Sequence, residues 1–165
     1  MKKIITLLVL TAFGFVSAQT AFKGKGDAKF NIGANIQNGG TGIQVSTDFG
    51  LGENLSYGFV GSYLLSVDDF LSVKPEFKDR FDAKFRINAN IGNVLKIDEK
   101  LDVYPGLSLG LKNFGGHLGM RYFFTEGFGV YTEAGFPIAK YDQNITGFDH
   151  LNNQFTFSIG ASFNM

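Results

Sequence analysis

Few residues of this chain could do chemistry. It contains two histidines, His117 and His150, and no cysteine, and its best local candidate for a metal ligand set is Asp149 beside His150. Neither histidine lies in a G-x-S-x-G or other hydrolase motif, and two imidazoles without i, i+4 spacing are a weak metal signal. We place both in or beside surface loops. We therefore expect no catalytic residue, no metal site and no cofactor.

A second set of residues consists of charged side chains that recur at alternate positions along the chain. Arg121 and Glu133 are equidistant from Gly127, so a hairpin that turns there would project both to the same side, where they should form an ion pair. Further charges at such positions extend this to a polar network: Lys29, Asp48, Asp82, Lys84 and Arg86. Buried charges need partners, so we interpret the pair as a structural plug, with gating of a small pore as the alternative.

The elements that must position these charges are β-strands. Apolar and polar residues alternate with a period of two from Ala28 to the end of the chain. Turn signals such as Asn38-Gly39-Gly40 separate the alternating segments. Pro105 falls within the fifth segment and should mark a local break in pairing. The predicted strands are 28–37, 43–51, 55–67, 81–91, 101–112, 118–124, 128–136 and 155–165.

The composition indicates which face of these strands is outside. Among 165 residues there are 19 Phe and 22 Gly. Most strand glycines fall on the polar face, whereas Phe, Leu, Ile and Tyr fill the other face, which carries no charge. Small residues suit the crowded lumen of an eight-stranded barrel, and an uncharged apolar exterior suits lipid. We predict an all-β fold: an eight-stranded antiparallel up-and-down transmembrane β-barrel.

The N-terminus predicts export. Lys2 and Lys3 precede an apolar stretch over 4–16, and Val16-Ser17-Ala18 has the small residues of a signal-peptide cleavage site. The stretch is too short for a membrane-spanning helix, which needs about 20 residues. We expect cleavage after Ala18, which divides the chain into a signal peptide (1–18) and one barrel domain (19–165). The balance of 15 Lys+Arg and 15 Asp+Glu argues against nucleic-acid binding.

The C-terminal pattern carries a family resemblance. The pattern consists of Ser158, Gly160, Phe163 and Met165. Together with the signal peptide and the strand count, it resembles the small eight-stranded outer-membrane proteins of the OmpA and OmpX type of Gram-negative bacteria. It is similar to their assembly signal, although it ends in Met where an aromatic residue is usual. The resemblance implies insertion by the BAM assembly machinery, outer-membrane lipid around the barrel, and both termini in the periplasm.

That orientation assigns the connections between strands to two sides. Residues 38–41, 68–80, 113–117 and 137–153 would face the exterior, and 52–54, 95–100 and 125–127 the periplasm. The loop 68–80 interleaves apolar with charged residues and could form a contact surface, or fold back on the barrel rim. Its apolar residues are Phe70, Leu71, Val73 and Phe77.

The sequence therefore predicts a non-catalytic, monomeric outer-membrane barrel with a filled lumen. Its role would be structural or in surface interaction, such as envelope integrity or adhesion. One alternative is a secreted or periplasmic soluble barrel that binds a small apolar ligand. Further alternatives are a narrow, porin-like pore and an outer-membrane enzyme.

Overall fold

Eight antiparallel strands close into a single barrel in the computed structural model, which describes residues 20–68, 74–142 and 147–165. Each strand pairs with its neighbour in sequence, and the last pairs with the first. The predicted all-β, up-and-down class is confirmed. The predicted signal peptide and three of the loop residues, Phe70, Leu71 and Val73, lie outside the described residues.

The strands are β1 (Ala28–Gln37), β2 (Gly40–Gly50), β3 (Leu55–Val67), β4 (Phe81–Ala89), β5 (Leu101–Gly110), β6 (Asn113–Phe123), β7 (Phe128–Lys140) and β8 (Thr156–Asn164). Two single-turn helices lie in connections: α1 (Phe77–Arg80) and α2 (Gly92–Leu95). Of the helices in the described ranges, none has the length and apolar character to cross a membrane.

Several predicted boundaries are wrong. The proposed loop 113–117 belongs to β6, and 137–140, the first part of the proposed loop 137–153, belongs to β7, because the ladder between these strands begins at Asn113 and Lys140. The alternating pattern fails there because Gly115 and Gly116 stand side by side and a register shift adds a residue opposite Phe114. The fourth strand also ends early, at Ala89, and the chain turns into α2.

The barrel has a polar interior and an apolar exterior. Lumen-facing charges such as Lys29, Asp48 and Arg86 are nearly completely buried, whereas outward Ile32, Ile87 and Leu118 are 43, 50 and 52% exposed. This is the reverse of the usual distribution in a soluble domain. The face assignment made from alternation is confirmed.

Glycines let the lumen hold large rings beside a closely spaced backbone. A Cβ at Gly119 would overlap the ring of Tyr104, and one at Gly106 would overlap His117. Each glycine lies directly opposite that ring across the β5–β6 ladder. Where β8 closes on β1, Gly33 and Gly160 face each other, and a Cβ on either would collide with the backbone of the other strand.

The pairing between β4 and β5 is the shortest ladder in the barrel. It joins Lys84–Asn88 to Gly106–Gly110 and stops at Pro105, which has no N–H to donate. Below the break, the N–H of Ile91 donates to the carbonyl of Val103 at 2.8 Å. The predicted local break at Pro105 is confirmed.

Closure of the barrel gives a test of the glycine argument. Gly160→Ala should lower the free energy of unfolding by about 1–3 kcal/mol, because the new methyl group would overpack the β1–β8 seam. Gly61→Ala is the matched control, since a Cβ there meets nothing within 4 Å. Urea midpoints of the detergent-folded protein check this. Equal midpoints for the two variants would contradict the argument.

Candidate functional site

The middle of the lumen is organised around the Asp48 carboxylate. The Arg86 guanidinium binds it with two hydrogen bonds, Nε to Oδ1 and Nη2 to Oδ2, both 2.7 Å long. Arg121 Nη2 also binds Oδ2, and Asn88 Nδ2 donates to Oδ1 at 3.0 Å. The carboxylate comes from β2 and its partners from β4 and β6, so one group ties non-neighbouring strands together across the lumen.

Two further carboxylates complete this cluster, which we call the lumen ion cluster. Arg86 Nη1 binds Glu133 Oε2 at 2.6 Å, and Arg121 Nη1 binds Asp102 Oδ2 at 3.2 Å. Two guanidinium groups therefore share three carboxylates. Neutral amides support the carboxylates: Gln44 donates to Glu133 and Asn90 to Asp102. Such bonds between charged partners are the strong ones in a site without bulk water.

Aromatic side chains fill the space beside these charges. The Cζ atom of Arg121 lies 3.9 Å from the ring centroid of Tyr104, a cation–π contact. His117 Nε2 lies 2.7 Å from Asn88 Oδ1, so the imidazole joins the same polar network. We had placed His117 in or beside an exterior loop, and this is wrong: it lies in β6 and is 6% exposed.

The predicted ion pair between Arg121 and Glu133 is also wrong. Both side chains face the lumen, but the β6–β7 ladder pairs Gly119 with Glu133 and Arg121 with Tyr131. The hairpin is centred on Glu126 and not on Gly127, which moves Glu133 toward Arg86 and Arg121 toward Asp102.

The remaining predicted network residues all lie in the lumen, but not all lie in the cluster. Lys29 stands opposite Asp48 in the ladder, yet its Nζ binds Asp27 at 2.5 and 2.6 Å. Asp82 and Lys84 form a separate pair, 3.5 Å apart, nearer the other end. The predicted network lacks Asp102 and Tyr104. Both stand on the polar face of the fifth strand, so the alternation of the sequence could have included them.

A segment of the chain covers each end of the lumen. At the end where β7 leads into β8, Leu151 is fully buried, and Asn152 donates its N–H to Gln37 Oε1 at 2.8 Å. Lys112 Nζ donates to the carbonyl of Leu151 at 3.1 Å, and burial lowers the pKa of this lysine. At the opposite end Phe22 is 3% exposed and receives a hydrogen bond from Asn93.

A small cavity lies between these covers. A cavity of about 20 Å³ lies against Arg86, His117 and Glu133, which is room for about one water molecule. Among the residues that the structure describes, no group of three or more His, Asp or Glu could hold a metal ion. The arrangement can stabilise charge, and the buried side chains of the cluster occupy the middle of the lumen.

The other predicted residues lie outside the cluster. The ring of Phe77 on α1 stacks on Phe81 at 5.4 Å and contacts Tyr63 at 5.5 Å, and 67% of the residue stays exposed. A contact surface on this loop and a loop folded back on the rim both stay predictions. In the C-terminal pattern, Ser158 accepts from Asn35 in the lumen and Phe163 packs on Phe128 outside. Gly160 forms the β1–β8 contact, and Met165 donates its N–H to Ala28. Their assembly role stays a prediction.

Comparison with known proteins gives a family without an assigned activity. The profile described as "Family of unknown function (DUF6646)" matches residues 12–165. No curated protein matches the chain.

The cluster predicts a specific order of stabilities. Arg121→Ala should cost about 3–5 kcal/mol of unfolding free energy, because it leaves Asp102 buried without its cation. The double variant Arg121→Ala/Asp102→Ala should be less destabilised than the single one, since Arg86 still neutralises Asp48. Denaturant midpoints measure the order. A double variant that is less stable than Arg121→Ala would contradict this account.

A conductance measurement separates the structural role from gating. In planar bilayers Arg121→Ala should conduct no more than the wild type, because Arg86, Glu133 and Tyr104 still fill the lumen. A large, steady increase in conductance would instead favour a gate at Arg121.

Proposed function

The chain belongs to the DUF6646 family, and because membership assigns no activity, we propose its function from the barrel: an integral outer-membrane protein with a filled lumen and a structural or surface-interaction role. The observation that carries the proposal is the reversed polarity of the barrel. The outward positions of the strands carry no charge, and large apolar side chains stand exposed there. Water would be a poor solvent for such a wall, and hydrocarbon a good one.

Aromatic residues are placed as two bands on this wall. Near one end, Phe30, Phe163, Phe128 and Phe124 contact one another in series, with ring centroids 5.6–6.4 Å apart. Near the other end, Tyr63, Phe77 and Phe81 form a second group. Most outward residues between these groups are aliphatic, such as Ile32, Leu118 and Ile159, with Phe59 and Phe85 as an aromatic pair in mid-strand. This division is typical of barrels that cross a bilayer, where aromatic girdles lie at the two interfaces.

Strand length and closure agree with the same location. The strands have 9–13 residues, and a tilted membrane strand needs about 9–11. Ring closure pairs the backbone of every strand on both sides, which a bilayer requires because it offers no alternative hydrogen-bond partners.

The filled lumen favours a structural role over the alternatives. A pore needs a continuous aqueous path, and a soluble ligand-binding barrel needs an apolar chamber. The lumen ion cluster and the covers at both ends argue against both alternatives. A role for the loops in adhesion or envelope integrity, export by the signal peptide, and assembly through the last strand belong to this proposal.

Fractionation tests the location directly. In a Gram-negative host the protein should sediment with outer membranes and should migrate faster in gels without boiling than after it, because a folded barrel resists detergent. The protein in that fraction should have the mass of a chain that begins at Gln19. A soluble protein without a heat-dependent mobility shift would overturn the proposal.

A charge placed on the wall distinguishes lipid from water as its solvent. Leu118→Lys, in the middle of β6, should reduce the stability of protein folded into lipid vesicles by about 2–4 kcal/mol, against about 0–1 kcal/mol for Leu111→Lys in the β5–β6 turn. Leu118 and Leu111 are similarly exposed, at 52 and 63%, so a soluble barrel would tolerate both changes. Equal stabilities in urea titrations would count against a membrane-embedded wall.

A further inference from the structure

The outer wall carries a groove with a volume of about 490 Å³ along the seam between β4 and β5. Its floor is made by small residues, Ala89, Pro105 and Gly106. Large apolar side chains rise on both sides of this floor: Leu55, Phe85, Ile87, Leu107, Leu109 and Phe114.

The groove has a cause in the strand pairing. It follows the shortest ladder of the barrel, where pairing between β4 and β5 stops at Pro105. Ala89, on the next outward position of β4 after Ile87, adds only a methyl group to the wall at this level. The large side chains of both neighbouring strands therefore border a depression and do not meet across it.

The lining specifies the chemistry of an occupant. No charged side chain lines the groove. Its two polar lining residues, Asn88 and Ser108, are buried with the lumen face of their strands, where the Asn88 carboxamide binds His117, Asp48 and Ser56. The groove therefore offers no free polar group to recognise a head group. From Pro105 to Leu109 it runs about 13 Å along the strand, a length that suits an extended hydrocarbon chain.

We propose that this groove binds one acyl chain of a membrane phospholipid more tightly than the rest of the wall does. The inference rests on the proposed membrane location, because the groove is continuous with the uncharged wall that would face lipid. The head group lies beyond the groove at the membrane surface, and the chain fills the depression between β4 and β5. Affinity comes from apolar contact along the methylenes.

Filling the groove tests the proposal. Ala89→Phe places a ring over the floor, and Ala83→Phe is the matched control: the same change on the same strand and face, opposite Gly61 and away from the groove. The delipidated proteins are titrated in octyl glucoside with palmitoyl-oleoyl phosphatidylethanolamine, and bound lipid is counted by native mass spectrometry. Wild type and Ala83→Phe should retain one lipid, and Ala89→Phe should bind it about tenfold more weakly.

Each outcome decides one question. Equal retention by Ala89→Phe and wild type, or no retention by wild type, would overturn the groove as a site. A wild-type dimer that dissociates in the Ala89→Phe variant would assign the groove to a second copy of the chain, and this result would also overturn the proposed lipid site. If Ala89→Phe fails to fold, Leu107→Trp fills the groove from β5 and is judged in the same way. The heat-dependent gel shift, measured on the same wild-type sample, is independent: its absence contradicts the membrane location itself.

Discussion

The structure depends on one constraint: a sheet of eight strands that closes on itself leaves an interior just wide enough for side chains. Whatever faces inward must fill that space and satisfy its own polar atoms. Here two arginines and three carboxylates fill the middle of the lumen, with Asp48 between Arg86 and Arg121. Most of their polar atoms are paired, and Asp102 Oδ1 and Arg121 Nε are the atoms of these groups without a hydrogen-bond partner among the described residues. Each of these buried charges alone would carry a large desolvation penalty. The bidentate pairing of Arg86 with Asp48 and the hydrogen bonds from neutral amides offset this penalty. Glycines opposite Tyr104 and His117 give the rings room in the same layer.

The polar interior determines what the exterior can be. The charged side chains of the strands face the lumen, and the outward positions hold Phe, Leu, Ile and Val. Such a wall suits hydrocarbon better than water. The same wall has one weak line, the β4–β5 seam, where Pro105 ends the ladder and small residues leave a groove. The proposed structural role and the proposed acyl-chain site thus both follow from one arrangement: charged side chains in the lumen and an uncharged apolar wall.

Alternation in the sequence was sufficient to predict the class, the strand number and the two faces, because a period of two decides inside from outside without any knowledge of partners. It could not predict which residues stand opposite each other on neighbouring strands. A hairpin centred on Glu126 and not on Gly127 was enough to separate Arg121 from Glu133. His117 shares its parity with Gly119 and Arg121, so the pattern contained its lumen position, but Gly115 and Gly116 concealed the start of the strand. The groove could not be predicted from the sequence, because it depends on how far the pairing between β4 and β5 extends.

The central claim is that the aliphatic middle of the wall contacts hydrocarbon while the charges contact one another. Nuclear Overhauser effects from lipid acyl-chain protons and from water to the backbone amides, measured on the protein in lipid nanodiscs, test it most directly. The account predicts acyl-chain effects at central outward residues such as Ile32, Leu118 and Ile159, and water effects at the strand ends and connecting loops. Water effects at those central residues, without acyl-chain effects, would contradict it.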